Sequence, residues 1–267
     1  MWNTFFIQPL ANSLFFFYHI FGNLGVAIIA LTVTVRLILT PLTLPSMRQM
    51  QKMRDLAPEL AKIKNKHKDD KIKQAQAQAD FYKTKGINPA SGCLPQIVQM
   101  VILIALFGTL NMVVRSNGDV AGHINSLLYE PLKLTNGAET RFLGYDVLQK
   151  DVINIPGLPL PLPGVFLLLA AAVQFLSSKM MAPAVAVLEK KAAKTSGGMD
   201  DAMAGMQKQM LYMFPLMTIF IGYSFPLGLV LYWVVFSLFQ AIQQYFVSGW
   251  GGLTPWVKRL SLIQFKQ

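Results

Sequence analysis

The chain has 267 residues, with 24 Lys and Arg against 13 Asp and Glu, and a formal net charge of +11. Apolar residues make up 53% of it and charged residues only 14%, whereas soluble domains carry roughly 25% charged residues. This balance excludes an ordinary soluble domain and predicts an integral membrane protein. The single cysteine, Cys93, excludes an internal disulfide, and three scattered histidines predict no metal site and no cofactor.

Residues 1–22 contain no Lys or Arg, so they lack the positively charged start of a secretory signal peptide. Their aromatic content instead predicts an extracytoplasmic helix that lies in the membrane interface. In this interpretation Gln8, Asn12 and His19 face water. The aromatic side chains that would face the headgroup region are Trp2, Phe5, Phe6, Phe15, Phe16, Phe17, Tyr18 and Phe21.

Five apolar stretches follow, and most approach the ~20 residues that a helix needs to cross ~30 Å of hydrocarbon. Backbone polar groups cannot bond to water in lipid, so stretches of this length favour a helical bundle over a barrel. We therefore predict an all-α membrane protein with five transmembrane helices. Their predicted bounds are 23–44, 94–114, 163–182, 209–225 and 227–247.

Basic residues predict the orientation of the chain. Residues 45–93 hold eleven Lys and Arg, whereas residues 115–162 hold four together with five acidic residues. By the positive-inside rule, 45–93, the loop 183–208 and the tail 248–267 are cytoplasmic, and 115–162 and the N-terminus lie outside. Five spans agree with this orientation, because an odd number of crossings places the two termini on opposite sides of the membrane.

Residues 45–93 are charged and favour helix, with Pro58 as an internal breaker. They predict a cytoplasmic hairpin of two helices, about 46–67 and 71–85, that turns at Lys68, Asp69 and Asp70. Apolar residues at helical spacing form a stripe on the first helix. The stripe either packs on the partner helix or docks a ribosome, a targeting factor or a nascent chain, and it begins with Met47, Met50 and Met53.

A second methionine stripe precedes and enters the fourth stretch. Methionine is unbranched and polarisable, so such a surface can repack around varied apolar partners. The stripe is typical either of helix packing at the cytoplasmic boundary or of contact with hydrophobic clients. Its members are Met199, Met203, Met206, Met210, Met213 and Met217.

Arg36 lies inside the first apolar stretch, and Leu24 to Leu44 contains no acidic residue. A charged side chain at the centre of a transmembrane helix costs about 2.5–3.5 kcal/mol on insertion scales, so it marks a functional site by default. Thr32 and Thr40 share its helix face. Further polar residues in the other stretches either bond neighbouring helices together or line a hydrated groove with Arg36. They are Gln96, Gln99, Gln174, Trp233, Ser237, Gln240 and Gln244.

Several segments together resemble the YidC/Oxa/Albino family of membrane protein insertases. They are GNLGVAIIALTVTVRLILTPLT (22–43), GINPASGCLPQIVQM (86–100), VQFLSSKMM (173–181) and MLYMFPLMTIFIGYSFPLGLVLYW (210–233), with the basic hairpin between the first two. The likeness is to the short form without a large extracytoplasmic domain. Val101 and Ser237 depart from the family pattern, where many relatives have proline and asparagine.

The resemblance implies a cytoplasmically open hydrophilic groove, lined by Arg36, Gln99 and Trp233, that receives newly made membrane proteins and releases them into lipid. It implies nascent membrane proteins and lipids as partners, with the ribosome, the signal recognition particle pathway and the Sec translocon as candidates, and a bacterial cell membrane as the location. No nucleotide or nucleophile motif is found, so no enzyme activity and no specific nucleic acid are expected. The alternatives are an ion or small-anion transporter that uses the arginine, and an assembly factor that binds clients without inserting them.

Overall fold

The computed structural model describes residues 2–67, 70–88, 94–114, 122, 124–135, 137–157, 159–181 and 199–258. It is mostly helical, as the sequence predicted. A π-helical turn, Asn3–Ile7, precedes the first helix. The α-helices are α1 Gln8–Phe21, α2 Leu24–Asp55, α3 Ala57–Lys66, α4 Lys71–Thr84, α5 Leu94–Val114, α6 Val165–Met181, α7 Met199–Gly222 and α8 Leu227–Ser248.

The chain divides into two compact units. The first comprises Met1–Leu39, Ile97–Gln174 and Phe214–Phe239, and the second Thr40–Gln96, Phe175–Met213 and Gln240–Gln267. Within the described residues, two helical segments are long and apolar enough to cross a membrane, Leu24–Met53 and Leu227–Ser248. Three further apolar helices are shorter, Ile97–Val113, Val165–Met181 and Leu211–Gly222.

Helix α1 contributes to the core of the first unit through Ala11, Leu14 and Phe15, all fully buried. Its outer face carries exposed aromatic residues such as Phe16 and Phe21. The expectation that Asn12 faces water is wrong. Asn12 is buried, donates to the carbonyls of Gln8 (2.8 Å) and Leu127 (2.9 Å), and accepts from the Tyr129 N–H (2.7 Å). A polar side chain is stable in this position because it satisfies backbone groups of another segment.

Helix α2 continues well beyond the predicted end of the first span. It passes through Pro41 and Pro45 and ends at Asp55. The predicted first hairpin helix, 46–67, is therefore divided: its first part belongs to α2, and α3 begins only at Ala57. Each proline lacks an N–H and so removes one helical hydrogen bond, yet the helix continues through both.

Helices α3 and α4 form the hairpin that the sequence predicted, in shortened form. Asp70 is the N-cap of α4, and its carboxylate accepts from the amides of Ile72 (3.1 Å) and Lys73 (3.0 Å). These hydrogen bonds, led by the Lys73 amide, lower the pKa of Asp70 below its ordinary value. A salt bridge of 2.9 Å joins Lys85 to Glu59 across the hairpin.

The segment between α5 and α6 contains small strands that an all-α prediction did not include. Strand β1, Arg141–Phe142, pairs antiparallel with β2, Tyr145–Asp146, and β3, Val152–Ile153, pairs antiparallel with β4, Leu162–Pro163. The first hairpin turns at Leu143 and Gly144, both with positive φ (51° and 86°). Two-residue hairpin turns favour this conformation because it matches the strand twist.

The same segment caps the starts of three helices in the first unit. The Leu24 amide of α2 donates to the Glu139 carbonyl (3.0 Å), and the Leu227 amide of α8 donates to the Gln149 carbonyl (2.7 Å). At α6 the Asp151 carboxylate accepts from the Leu167 amide (2.6 Å). The first amides of a helix have no partner within the helix, so one segment satisfies all three. Helices α2, α6 and α8 therefore begin on the same side of this unit.

Candidate functional site

Arg36 is the charged residue around which the candidate site of the first unit is built. Helix α2 holds it at only 8% exposure. Its guanidinium lies over the ring of Phe236, 4.0 Å from the centroid, and 5.4 Å from the centroid of Phe239. The face of an aromatic ring is negative, so these rings stabilise the cation where water is scarce. Thr32, one turn earlier, is also buried and donates to the Ile28 carbonyl (2.6 Å).

Two side-chain hydrogen bonds tie the predicted polar residues of the first unit to α8. Gln99 donates to the Tyr232 hydroxyl at 2.7 Å, and Tyr232 is 3% exposed. Ser237 donates to the Gln174 side-chain oxygen at 2.7 Å. Both pairs join residues far apart in the sequence, so they fix which helix faces meet.

Trp233 stands apart from these polar pairs. It is half-buried and packs edge-on against Phe225, with 5.8 Å between the ring centroids. Close to Thr32 and Tyr232 lies a cavity of about 10 Å³, otherwise bounded by apolar side chains. A cavity of this size has room for about one water molecule. The helices around Thr32 and Tyr232 are therefore closely packed.

Thr40 and Gln240, which the sequence predicted to line a groove, belong to the second unit. Gln243 donates to the Thr40 hydroxyl at 2.9 Å, and Gln240 donates to the Met181 sulfur at 3.4 Å. Met47 is buried, whereas Met50 and Met53 are half-buried. Burial of Met47 agrees with the packing alternative at that position. The side chains of Met199, Met203, Met206 and Met210 lie outside the described residues.

The sequence analysis predicted site residues on one face of α8, whereas residues on two faces make the contacts described above. It selected Trp233, Ser237, Gln240 and Gln244, which repeat at spacings of 4, 3 and 4. The neighbouring series Tyr232, Phe236, Phe239 and Gln243 has the same spacing and supplies the contacts to Arg36 and, in the second unit, to Thr40. The signal was present, since aromatic rings are natural partners of a cation in an apolar setting. A search restricted to polar side chains missed it.

Comparison with known proteins identifies the family. Residues 16–251 match the family described as 60Kd inner membrane protein. The chain belongs to this family. It is 36% identical over 230 residues to the membrane protein insertase YidC of Fusobacterium nucleatum, with 86% of this chain and 88% of that protein covered. The family resemblance found in the sequence is thereby confirmed.

Longer proteins of the same name match over part of their length. The YidC insertase of Methylobacterium radiotolerans is 30% identical over 94% of this chain and 36% of its own length. That of Syntrophobacter fumaroxidans is 32% identical over 92% of this chain and 38% of its own length. The chain thus spans a little over a third of these two relatives.

The fold is also similar to a solved structure, described as an active YidC insertase with the first transmembrane domain resolved. The TM-score is 0.55 at 23% identity, over 90% of this chain and 45% of that one. At this level of identity the likeness concerns the fold. It supports the mostly helical architecture of the 60Kd inner membrane protein family for this chain.

Proposed function

We propose that this chain is a membrane protein insertase and chaperone of the bacterial cell membrane, which inserts newly synthesised membrane proteins without hydrolysing a nucleotide. The observation that carries this proposal is the 36% identity to the Fusobacterium nucleatum insertase over 88% of that relative's length. The buried arginine of α2 is consistent with it, because charged residues are kept within membrane helices chiefly where they act on a substrate or ion.

In the proposed mechanism, Arg36 attracts acidic residues in the hydrophilic tail of a client. A guanidinium among aromatic rings has a low-dielectric surrounding, so its attraction for a carboxylate is stronger than at a water-exposed surface. Phe236 and Phe239 hold the guanidinium in place before a client arrives. The apolar segment of the client then partitions between helices into lipid, and its burial drives insertion.

We further propose that polar residues of the first unit line a hydrophilic groove that opens to the cytoplasm. Gln99, Gln174 and Ser237 are hydrogen-bonded side chains that can exchange a protein partner for a client group or water. Met50 and Met53, which are half-buried, and the methionines at 203, 206 and 210 would contact clients or partners at the cytoplasmic end, whereas the buried Met47 packs within its unit. Nascent membrane proteins are the proposed clients, and the ribosome, the signal recognition particle pathway and the Sec translocon are the proposed partners.

The proposed topology has five spans, with the N-terminus outside and the α3–α4 hairpin in the cytoplasm. Its support is the positive-inside pattern and the common start of α2, α6 and α8 at one segment of the first unit. A cysteine placed at Gln76, exposed on α4, should react with a membrane-impermeant reagent only after the cells are opened. Reaction in intact cells would contradict the topology.

The function is tested by reconstituting the purified chain in liposomes with single-span clients made in its absence. Correctly oriented, protease-protected client is the expected result. Solute flux without protection would instead favour a transporter, and client binding without protection would favour an assembly factor that does not insert.

The role of Arg36 is tested with two clients that differ only in tail charge. Arg36→Ala should impair the acidic-tailed client far more than the neutral one, and Arg36→Lys should retain most insertion of both. A basic residue at Thr40, one helical turn away, should restore part of the loss. Arg141→Ala removes an exposed arginine from β1 and is the matched control. Equal loss for both clients would refute electrostatic attraction as the main role.

A further inference from the structure

The β3–β4 hairpin differs in composition from the rest of the segment that contains it. From Val152 through Gly164 there is no Asp, Glu, Lys or Arg, and four of these residues are prolines. The preceding residues, from Ile124 to Asp151, include seven charged side chains. These are Glu130, Lys133, Glu139, Arg141, Asp146, Lys150 and Asp151. The change in composition begins where the hairpin begins.

Several apolar side chains among the described residues of this hairpin are exposed. Ile153 lies opposite Leu162 in the strand pairing, so both side chains are on the same face, with exposures of 43% and 40%. Ile155 is 42% exposed and Leu160 is 74% exposed. Contiguous exposed apolar surface marks a contact with a protein, a ligand or a membrane.

The base of the hairpin is held by hydrogen bonds within the first unit. The Tyr223 hydroxyl donates to the Pro161 carbonyl at 3.0 Å, and the Gly164 amide donates to the Asp151 carbonyl at 2.8 Å. A Cβ on Gly164 would collide with the Asp151 carboxylate, so glycine permits this close approach. These contacts attach the hairpin to the first unit, while Ile153, Ile155, Leu160 and Leu162 remain exposed.

Helix α6, which follows the hairpin in the chain, also has exposed apolar side chains. Val165, Leu168 and Leu169 are exposed by 56%, 49% and 45% on this apolar helix. In a membrane protein of this family, exposed leucine and valine on an apolar helix are suited to lipid. Leu160 and Leu162 come a few residues before these positions in the chain and are exposed as well.

We propose that the β3–β4 hairpin is a lipid anchor whose four exposed apolar side chains, Ile153, Ile155, Leu160 and Leu162, enter the bilayer interface at the start of α6. Interfacial elements of this kind reach ~5–10 Å into the boundary between headgroups and acyl chains. The absence of charge removes the main cost of entry. Pro161 and Pro163 lack amide donors, which disfavours pairing with a strand of another protein. The occupant of this surface is therefore lipid.

The test uses the full chain in liposomes, with Cys93→Ser and one new cysteine carrying an environment-sensitive fluorophore. The probe position is Leu160→Cys. The matched control is Glu130→Cys, an exposed site in the charged part of the same segment. Nitroxide lipids labelled at the headgroup or high on the acyl chain serve as quenchers, and iodide serves as the aqueous quencher.

The expected result is strong quenching at position 160 by the nitroxide lipids with protection from iodide, and the reverse at position 130. Lipid quenching at position 160 no stronger than at position 130 would overturn the anchor. Protection from iodide without lipid quenching would show a protein on this surface and would overturn it as well. The readout needs no client, so failure of the insertase proposal would leave it interpretable.

Discussion

Two long connections of this protein are built in opposite ways. The segment between α5 and α6 bonds to helix starts in the first unit through backbone carbonyls and the buried carboxylate of Asp151. Its backbone also bonds to the buried Asn12 side chain of α1. In the α3–α4 hairpin of the second unit, polar contacts such as the Lys85–Glu59 salt bridge are exposed. Buried hydrogen bonds cost much to break, whereas exposed ion pairs contribute little. The first connection therefore fixes helices, whereas the polar contacts of the second contribute little to stability.

The largest expected effect comes from removing the side chain that joins α1 to the α5–α6 segment. Asn12→Ala leaves the Leu127 carbonyl and the Tyr129 amide without their partner. A fully buried group left unsatisfied costs about 1–3 kcal/mol. Because both bonds are partly buried, we expect a combined loss of about 2–4 kcal/mol. Thermal unfolding in detergent measures it. Ser13→Ala is the control, because Ser13 is exposed and bonds only within its own helix. Equal effects of both variants would contradict the prediction.

Asp151 tests the same segment at the start of α6. Asp151→Ala removes the acceptor for the Leu167 amide and should cost about 1–2 kcal/mol, as for loss of an N-cap. Asp151→Asn keeps an acceptor oxygen and should cost much less at neutral pH. Comparing the melting temperatures of both variants with the wild type checks this order. If Asp151→Asn were as damaging as Asp151→Ala, the carboxylate charge and not the hydrogen bond would be the source of stability.

The pH dependence of Asp151 sharpens that result. Burial raises its pKa, against the opposing hydrogen bonds from the Leu167 and Phe166 amides. The folded state then binds the proton more tightly than the unfolded chain, so this group's contribution to stability falls as pH rises through the folded pKa. Acidification from neutral pH toward the ordinary carboxyl range should therefore favour the wild type over Asp151→Asn. A difference in melting temperature that does not change with pH would contradict it.

Leu143 tests the turn between β1 and β2. The backbone of Leu143, with φ of 51°, is in the left-handed region. This conformation costs roughly 1–2 kcal/mol for a residue that has a Cβ atom. Its side chain is 73% exposed, so little packing is lost by replacing it. Leu143→Asn should raise the free energy of unfolding by about 1 kcal/mol. Denaturant unfolding in detergent measures the change, and a free energy of unfolding that Leu143→Asn leaves unchanged or lowers would contradict the prediction.

The smallest effect is expected in the α3–α4 hairpin. Lys85→Ala breaks a salt bridge whose side chains are 39% and 52% exposed, and such pairs contribute about 0.2–1 kcal/mol. The variant should unfold within about 0.5 kcal/mol of the wild type, and high salt should erase the difference. A loss comparable to that of Asn12→Ala would show that the two connections are not built differently after all.

The sequence predicted the helical membrane class, the family and the position of Arg36, because hydropathy and a lone charge are local properties of the chain. It could not choose between the two series on α8 that share one spacing. Polar type favoured Ser237 and Gln240, but the ring of Phe236 is the group that contacts the guanidinium. Contact across helices depends on how each helix is rotated about its axis, and periodicity along a single helix does not reveal that rotation.

By itself, the sequence determined where the apolar segments lie, which loops are basic and that a charge is kept within one apolar segment. Only the tertiary structure decided that Asn12 is buried, that α2 continues past two prolines to Asp55, and that the α5–α6 segment caps three helices. The physical reason is the range of the interactions. Helix formation and hydropathy depend on neighbours a few residues away, whereas a helix start can be capped by any carbonyl that the fold brings to it.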